Sequence, residues 1–317
     1  MRDSALDAKV RVAWVRPSGP VGTLVQFLIF ASVLVAIPGC PPPPPRPNPL
    51  EAWPMSRAIG EVNANAAMLV SGLKAQGSAR GQIVSPEGDK RSFDFTGKLL
   101  LIPPRHLRFD LQNGLGQTEV LFGSNEDFFW LFVMRDDDTL RLGRYATPES
   151  DRAIKPALRA DWLIEALGLN PLPFQTTGAN GPVQLIEDES QRLLFLAYDA
   201  AGQGIVRKEY FLSRRPPRLV ERIIYRDESG GVKMRSQLDD YRDIAPDGPK
   251  LPHRIRIDWP SQEAWLEYTV NKWEEREELT LDHPAFQLGP QPALQEKHRH
   301  VIDIDSGREL GKTASSP

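Results

Sequence analysis

Apolar and polar residues alternate in several separate segments of this chain, and that spacing limits the fold more than any other feature. In one segment Leu107, Phe109 and Leu111 alternate with Arg108 and Asp110. Side chains of a strand point alternately to opposite faces, so each such segment predicts a strand with one apolar face, typical of antiparallel sheets. The segments are residues 91–96, 107–112, 254–259 and 266–271.

Short turn signals rich in glycine, asparagine and aspartate separate the strands, which indicates hairpins rather than βαβ units. The apolar runs Phe128–Met134 and Leu193–Tyr198 predict central strands covered on both faces. Helical spacing predicts one helix over Trp53–Ala67 and a second over Asp161–Gly168, with Gly168 able to end the second helix in the left-handed conformation. The predicted fold is α+β and mostly antiparallel β, with about ten strands and two helices.

The N-terminal segment has the three parts of a secretory signal: basic residues, an apolar run and a small residue before the cleavage point. The apolar run extends from Val21 to Ile37, and the only cysteine of the chain, Cys40, follows Gly39. Residues 37–40 resemble the lipobox of bacterial lipoproteins, in which the cysteine is acylated and the chain is cut before it. The alternative is a free thiol after an uncleaved anchor helix. Both alternatives export residue 41 onward.

Composition changes divide the chain into four parts. Residues 1–39 are expected to be the signal peptide, and residues 40–54 a lipidated cysteine with a spacer. Seven prolines in residues 41–49 favour a stiff polyproline II segment that holds the domain away from lipid headgroups. Residues 55–290 are expected to form the folded domain. Residues 291–317 lose periodicity, apart from the short run Val301–Ile304, and are expected to be mostly disordered.

Charge and motif content exclude several functions. The chain carries 39 basic and 42 acidic residues, which argues against binding nucleic acid by phosphate neutralisation. A single cysteine excludes internal disulfides. No common catalytic or nucleotide-binding motif is found, so we expect no enzyme, no cofactor and no metal. The three consecutive aspartates Asp136–Asp138 indicate a turn that is kept in water. His106 is expected to face solvent. A metal hydrolase that uses His298 and His300 is a remote alternative.

Several short motifs resemble the lipoprotein-localisation superfamily, the LolA carriers and LolB receptors of the bacterial envelope. The resemblance covers residues 55–290. It rests on an alanine-rich helix after a lipobox, followed by strand and turn motifs. These motifs are residues 93–97, 102–105, 107–109, 114–116, 121–123, 128–132 and 286–290.

The resemblance implies a strongly curved sheet, an unclosed half-barrel, with the N-terminal and second helices covering its concave face. It also implies an apolar cavity for the acyl chains of lipids or lipoproteins. LolB receptors present an exposed leucine on a loop, and Leu115 is the candidate here for a membrane-insertion loop. The candidate cavity residues are Phe93, Phe95, Leu107, Phe109, Leu111, Trp130, Ile255, Ile257 and Trp259.

Together these observations predict a membrane-anchored periplasmic lipoprotein that binds acyl chains during lipid or lipoprotein trafficking. The expected partners are acyl chains, the membrane itself through the lipid on Cys40, and an envelope protein. The expected location is the cell envelope, facing the periplasm, with the outer membrane favoured over the inner membrane. The alternative function is a structural envelope lipoprotein with a filled core that docks a protein complex.

Overall fold

The computed structural model describes residues 50–84, 88–134, 139–146, 160–173, 181–198, 202–288 and 300–310. Within these residues fifteen strands form one sheet, accompanied by two α-helices. The helices are α1 (Met55–Ala67) and α2 (Ala160–Ala166). The strands are β1 Gly72–Val84, β2 Lys90–Ile102, β3 His106–Gln112, β4 Thr118–Ser124, β5 Phe128–Val133, β6 Thr139–Arg144, β7 Val183–Ile186, β8 Ser190–Tyr198, β9 Gly204–Ser213, β10 Val220–Arg226, β11 Val232–Asp243, β12 Lys250–Trp259, β13 Ala264–Arg276, β14 His300–Asp303 and β15 Arg308–Glu309.

The sheet consists of two antiparallel meanders joined side by side. One runs from β6 back to β1, the other from β13 back to β7, and β1 pairs with β13. Strand β14 extends the sheet beyond β6, to which it is parallel, and β15 follows it. Among the described strands β7 and β15 occupy the two ends, so the sheet is not closed. The prediction of a mostly antiparallel, unclosed sheet is confirmed, with more strands than expected.

Burial alternates along the central strands as their sequence periodicity predicts. Leu107, Phe109 and Leu111 of β3 are buried, while the residues between them are half-buried. In β12, Ile255 and Ile257 are buried on the same side of the sheet. The opposite side of the central strands carries ion pairs, such as that between Arg80 of β1 and Glu267 of β13 at 2.5 Å. One face of the sheet is therefore apolar and the other is hydrated.

The sheet is strongly curved, as is shown by strands that are far apart in its order but contact the same few residues of α2. Helix α2 lies against β4 and β5, and its Trp162 ring stacks on Tyr225 of β10 at 5.9 Å. Seven strand spacings separate β4 from β10, a distance of about 34 Å in a flat sheet. The part of α2 that makes these contacts, Ala160–Ala166, is only about 10 Å long. The sheet therefore wraps around α2, with its apolar face concave.

Helix α1 packs on the concave face through Ala58, Ile59 and Val62, and its position confirms the helix predicted in this segment. Two asparagines fix its position by exchanging paired hydrogen bonds with backbone. Asn63 donates to the Leu172 carbonyl at 3.0 Å and accepts from the Leu172 amide at 2.7 Å. Asn65 binds both backbone groups of Lys250 in the same way.

Three sequence predictions differ from the structure. Leu193–Tyr198 lies in β8, next to the edge strand β7, and Tyr198 is exposed, so this segment is not a central strand. His106 is buried against the Phe286 ring rather than facing solvent. The short 3-10 turn Pro284–Phe286, which the sequence pattern does not reveal, covers it. Burial lowers the pKa of His106 below its usual value.

The third difference is the C-terminal segment, for which residues 291–317 were expected to be mostly disordered. Residues 300–310 instead contribute β14 and β15 to the sheet. Strand β14 pairs with the edge of β6, whose backbone groups would otherwise lack a neighbouring strand. Val301 of β14 packs in a cluster with Trp130 and Leu142. The folded domain thus continues beyond residue 290.

Several predictions concern residues outside the described part of the chain. These are the signal peptide, Cys40, the proline-rich residues 41–49, the Asp136–Asp138 turn and His298.

Gly77 lies where β1 and β13 join the two meanders, at a shift in strand register between Gln76 and Gly77. A Cβ atom at this position would lie 2.0 Å from the Thr269 carbonyl oxygen of β13. That oxygen belongs to the backbone and cannot move aside as a flexible side chain would. Only glycine permits this close approach of the two strands.

We predict that Gly77→Ala lowers the free energy of unfolding by about 1–3 kcal/mol, since the added methyl group forces the strands apart. Urea unfolding followed by tryptophan fluorescence would measure the change. Gly114→Ala is the matched control, because a Cβ there has no neighbour within 4 Å. Equal stability of the two variants would contradict the proposed close contact.

Candidate functional site

The concave face of the sheet forms an apolar wall, and most of the candidate cavity residues lie on it. Phe93 and Phe95 are half-buried and stack on each other with ring centroids 5.2 Å apart. They pack at the margin of the main cluster. The candidates that are buried within that cluster are Leu107, Phe109, Leu111, Ile255, Ile257 and Trp259.

Trp130 lies apart from the other candidates. It is buried in a separate cluster with Leu140, Leu142 and Val301. Its neighbour Phe129 belongs to another small cluster with Ile304. Strand β5 is therefore apolar on both faces and covered on both, as predicted. Trp130 pairs with Gly123, which pairs with Arg108, so Trp130 lies on the face of the sheet opposite to Phe109 and is not part of the interior wall.

Helix α2 fills the space that the wall surrounds. Leu163 and Leu167 project from α2 and the turn that follows it toward Phe109, Ile257 and Tyr268. The void remaining between them is about 10 Å³, room for about one water molecule. The other residues lining the void are Leu99, Ile255 and Leu266. In this structure the interior is a packed core around α2, with no slot that could hold an acyl chain in the described residues.

A few polar contacts hold α2 in place. Ser236 of β11 is fully buried and donates a hydrogen bond of 2.6 Å to the carbonyl of Ala166, in the last turn of α2. Gly168 follows with a φ of +66°, which confirms the predicted left-handed end of the helix. The helix therefore has a defined C-terminal boundary and a direct bond to the wall.

Glu165 is the one residue between Trp162 and Leu167 that is not fully buried, and its carboxylate meets a polar cluster on the wall. Lys208 of β9 lies 2.9 Å from Glu165 Oε1, and the Tyr210 hydroxyl donates to the same oxygen. Tyr225 of β10 also hydrogen-bonds the carboxylate. The side chains of Lys208 and Glu165 are 26% and 24% exposed, so the cluster lies at the margin of the interior.

The electrostatics of this cluster favour a charged carboxylate and neutral phenols. Burial raises the pKa of Glu165, but the Lys208 charge and the hydrogen bonds from Tyr210, Lys208 and Tyr225 outweigh it, and the pKa is lowered overall. Burial and the charge of Glu165 raise the pKa values of Tyr210 and Tyr225 well above normal. Both phenols therefore remain hydrogen-bond donors.

Sequence analysis missed this cluster, although one signal was present. Lys208 is in phase with Tyr210 and Leu212 on the face of β9 that points inward. A lysine at an inward position of an otherwise apolar face is unusual and indicates a buried partner. Its partner on α2, more than forty residues earlier, could not be identified from spacing.

Leu115 stands out from the surface at the tip of the β3–β4 hairpin, 85% exposed. The turn is fixed by Asn113, whose side-chain oxygen accepts hydrogen bonds from the amides of Leu115 and Gln117. The side-chain nitrogen of Asn113 donates to the Glu119 carboxylate at 2.8 Å. The leucine is thus presented to solvent by an ordered turn.

The histidines of the described residues are engaged in hydrogen bonds or ring contacts rather than in a metal site. His253 is buried and its Nδ1 pairs with the Val270 carbonyl at 2.8 Å. His283 accepts a hydrogen bond from the Ala285 amide, and His300 pairs with Glu309. The part of the chain that the structure describes contains no group of three potential metal ligands. No helix within that part is long and apolar enough to cross a bilayer.

We predict that Ser236→Ala loosens α2, because the buried Ala166 carbonyl loses its partner at a cost of about 1–3 kcal/mol. Hydrogen exchange of the α2 amides should therefore become faster than in the unsubstituted chain, while exchange in β1 stays unchanged. Ser78→Ala, at an exposed position of β1, is the control. Unchanged exchange in α2 would show that this hydroxyl does not hold the helix.

Comparison with protein-family models and with curated proteins finds no match for this chain. Solved structures with a similar fold include a DUF1329 family protein from Desulfovibrio piger, at 10% identity and a TM-score of 0.46, covering 74% of this chain and 100% of that one. A putative outer membrane lipoprotein-sorting protein domain from Vibrio parahaemolyticus has 12% identity and a TM-score of 0.41, with 71% and 94% covered. A LolA superfamily protein from Nitrosomonas europaea has 10% identity and a TM-score of 0.42, with 70% and 94% covered.

Proposed function

We propose that this protein binds acyl chains of lipids or lipoproteins on the concave face of its sheet, in the space that α2 occupies in this structure. The observation that carries the proposal is the wall beneath α2, which is lined by apolar side chains such as Phe109, Ile255 and Leu266. Hydrocarbon needs a dry apolar surface and no catalytic group. We therefore propose a binding role rather than catalysis.

The energetics allow an acyl chain to replace α2. The apolar side chains of Trp162, Leu163, Ile164 and Leu167 are buried, at about 1.5–3 kcal/mol each. An acyl chain of about 16 carbons gains about 12 kcal/mol on complete burial, at about 0.8 kcal/mol per CH₂. The two gross gains are of similar size, so exchange between helix and ligand is nearly balanced and reversible.

The packing of α2 supports the same exchange. Most of the stability of a helix in a protein comes from packing of its apolar face, and Trp162, Leu163 and Ile164 of α2 are buried. Its helical state therefore depends on the wall against which it packs. When a ligand covers the wall, the helix loses the surface that stabilises it, and when the ligand leaves, the helix closes the apolar face again.

The proposed setting is the periplasmic side of the cell envelope. In this proposal the lipid on Cys40 anchors the chain, and the proline-rich residues 41–49 keep the domain clear of the headgroups. Leu115 then contacts the membrane when acyl chains enter or leave. Lipid or lipoprotein trafficking, with the outer membrane as the favoured location, is the process that this arrangement suits.

One observation favours a second candidate function. The interior void of about 10 Å³ fits a structural envelope lipoprotein whose core is filled at all times. Such a protein would act by docking a protein complex through its surface. The two candidates differ in whether α2 can leave the wall.

We predict that weakening α2 increases acyl-chain binding. Replacing Leu163 and Leu167 together with alanine removes packing that competes with the ligand, so affinity for oleyl alcohol should rise at least about tenfold. Binding of radiolabelled oleyl alcohol to the full chain in phospholipid nanodiscs would be measured by scintillation proximity. Leu281→Ala is the control, because this leucine is exposed. Ile257→Asn, which places an amide on the wall, should reduce binding.

The structural alternative predicts a different outcome. If the folded double variant binds no more oleyl alcohol than an empty nanodisc, the interior does not accept hydrocarbon and the filled-core function is favoured. Circular dichroism of each variant would establish that it is folded.

Membrane attachment gives a separate prediction. Cys40→Ser should release the protein from membranes or leave an unprocessed precursor, as fractionation and mass measurement would show. Normal processing and retention of Cys40→Ser would rule out the lipid anchor.

The exposed leucine of the β3–β4 hairpin can be tested separately. Leu115→Ser should leave the protein anchored but slow the transfer of oleyl alcohol to phospholipid vesicles. Val70→Ser is the matched control, because Val70 is equally exposed, at 85%, but lies at the opposite end of the strands.

A further inference from the structure

The polar cluster around Glu165 has an uneven distribution of charge between helix and wall. Asn170, which follows α2, donates to Glu165 Oε2 at 3.5 Å, and the other donors belong to the wall: the Lys208 ammonium and Tyr210 hydroxyl on β9, and the Tyr225 hydroxyl on β10. Their common acceptor, the Glu165 carboxylate, belongs to α2. The wall therefore forms an anion-binding group, and the helix supplies the anion.

The strand register builds this group into the sheet. Lys208 and Tyr225 are directly paired across β9 and β10, and Tyr210 lies two residues further along β9. The Lys208 Nζ atom lies 4.6 Å from the centroid of the Tyr225 ring and 5.6 Å from that of Tyr210. These contacts are made between wall residues, so they fix the ammonium independently of α2.

Departure of α2 would leave the three donors without their carboxylate. Unpaired donors in a partly desolvated position are unfavourable, above all when one carries a charge. An incoming ligand with an anionic group would restore the lost interactions, whereas a neutral ligand would not. The side of α2 opposite Glu165 carries Leu163 and Leu167, so the vacated space runs from the donors to the apolar wall.

We infer that Lys208, Tyr210 and Tyr225 form the headgroup site for an acyl ligand that ends in an anionic oxygen group, and that Glu165 occupies this site as an internal substitute when α2 is in place. This inference rests on the acyl-binding function proposed above. It narrows the ligand class to anionic amphiphiles with one chain end at the margin of the interior. The carboxylate of a fatty acid matches the group that Glu165 supplies, and the phosphate of a lipid headgroup shares its chemistry.

The test compares two ligands of equal chain, oleate and oleyl alcohol, with the full chain in phospholipid nanodiscs. Glu165→Gln removes the charge of the internal competitor, so oleate should bind about tenfold more tightly or better. The double variant Glu165→Gln/Lys208→Met should then lose that gain for oleate and keep its affinity for oleyl alcohol. Comparing the double variant with Glu165→Gln avoids leaving a charged Glu165 unpaired beside the wall, which could unfold the domain.

Lys98→Met is the control for a general loss of positive charge, because Lys98 is exposed on the hydrated face of β2. It should bind both ligands as the unsubstituted chain does. Tyr225→Phe should weaken oleate binding in the Glu165→Gln background and leave oleyl alcohol unaffected.

Two further kinds of ligand show whether the bound anion is a lipid headgroup or a free small anion. Lysophosphatidate with an oleoyl chain tests a phosphate headgroup, and binding that depends on Lys208 supports the inference for either headgroup. Acetate and inorganic phosphate test a free anion. Displacement of oleate by these small anions at equal concentration would overturn the inference, because the site would then not require an attached chain.

The remaining outcomes separate this inference from the function on which it rests. If oleate and oleyl alcohol bind equally and Lys208→Met in the Glu165→Gln background changes neither, acyl binding stands and the headgroup site is rejected. If neither ligand binds to any folded variant, both the acyl-binding function and the headgroup site are rejected.

Discussion

The structure depends on one constraint: a large sheet with one apolar face must keep that face out of water. A flat sheet of this size would need a second layer as broad as itself. Here curvature reduces the problem, because the sheet wraps around α2 and buries Leu163 and Leu167 against both meanders. Helix α1 covers a further part through Ile59 and Val62. The positions of the helices therefore follow from the shape of the sheet.

The same constraint makes a packed interior compatible with the proposed binding of acyl chains. The apolar wall must be covered at all times, by the helix or by something of similar character. The ion pair between Glu165 and Lys208 adds little net stability, since desolvation of the two charges offsets much of their attraction. It instead specifies where α2 sits, and a ligand with an anionic end could satisfy the same donors. The apolar wall can therefore stay out of water at all times even if a ligand takes the place of α2.

The sequence predicts those parts of the fold that depend on local pattern. Alternation identified strands such as β3, helical spacing identified α1, and Gly168 marked the end of α2. Long-range pairing could not be predicted in this way. Strand β14 is held by the edge of β6 rather than by its own pattern, and His106 is buried by the turn around Phe286. Strand β5 is apolar on both faces, so its sequence cannot tell which face meets the interior, and Trp130 was assigned to the cavity although it packs with the C-terminal residues.

The residues of the candidate site also divide into those that local sequence pattern predicts and those that depend on long-range contacts. Apolar wall residues could be chosen from strand periodicity, because every strand of a one-sided sheet contributes its inward positions. The Glu165 cluster could not, because it joins a helix to two strands through side chains distant in sequence. The curvature that brings them together spans all the strands from β4 to β10, including the β1–β13 pair that joins the two meanders. Register shifts, which increase twist locally, lie beside Gly77 in that pair and between Tyr225 and Arg226 next to the cluster. Whether Lys208 can reach the carboxylate of α2 therefore depends on strand pairing, which no local sequence pattern encodes.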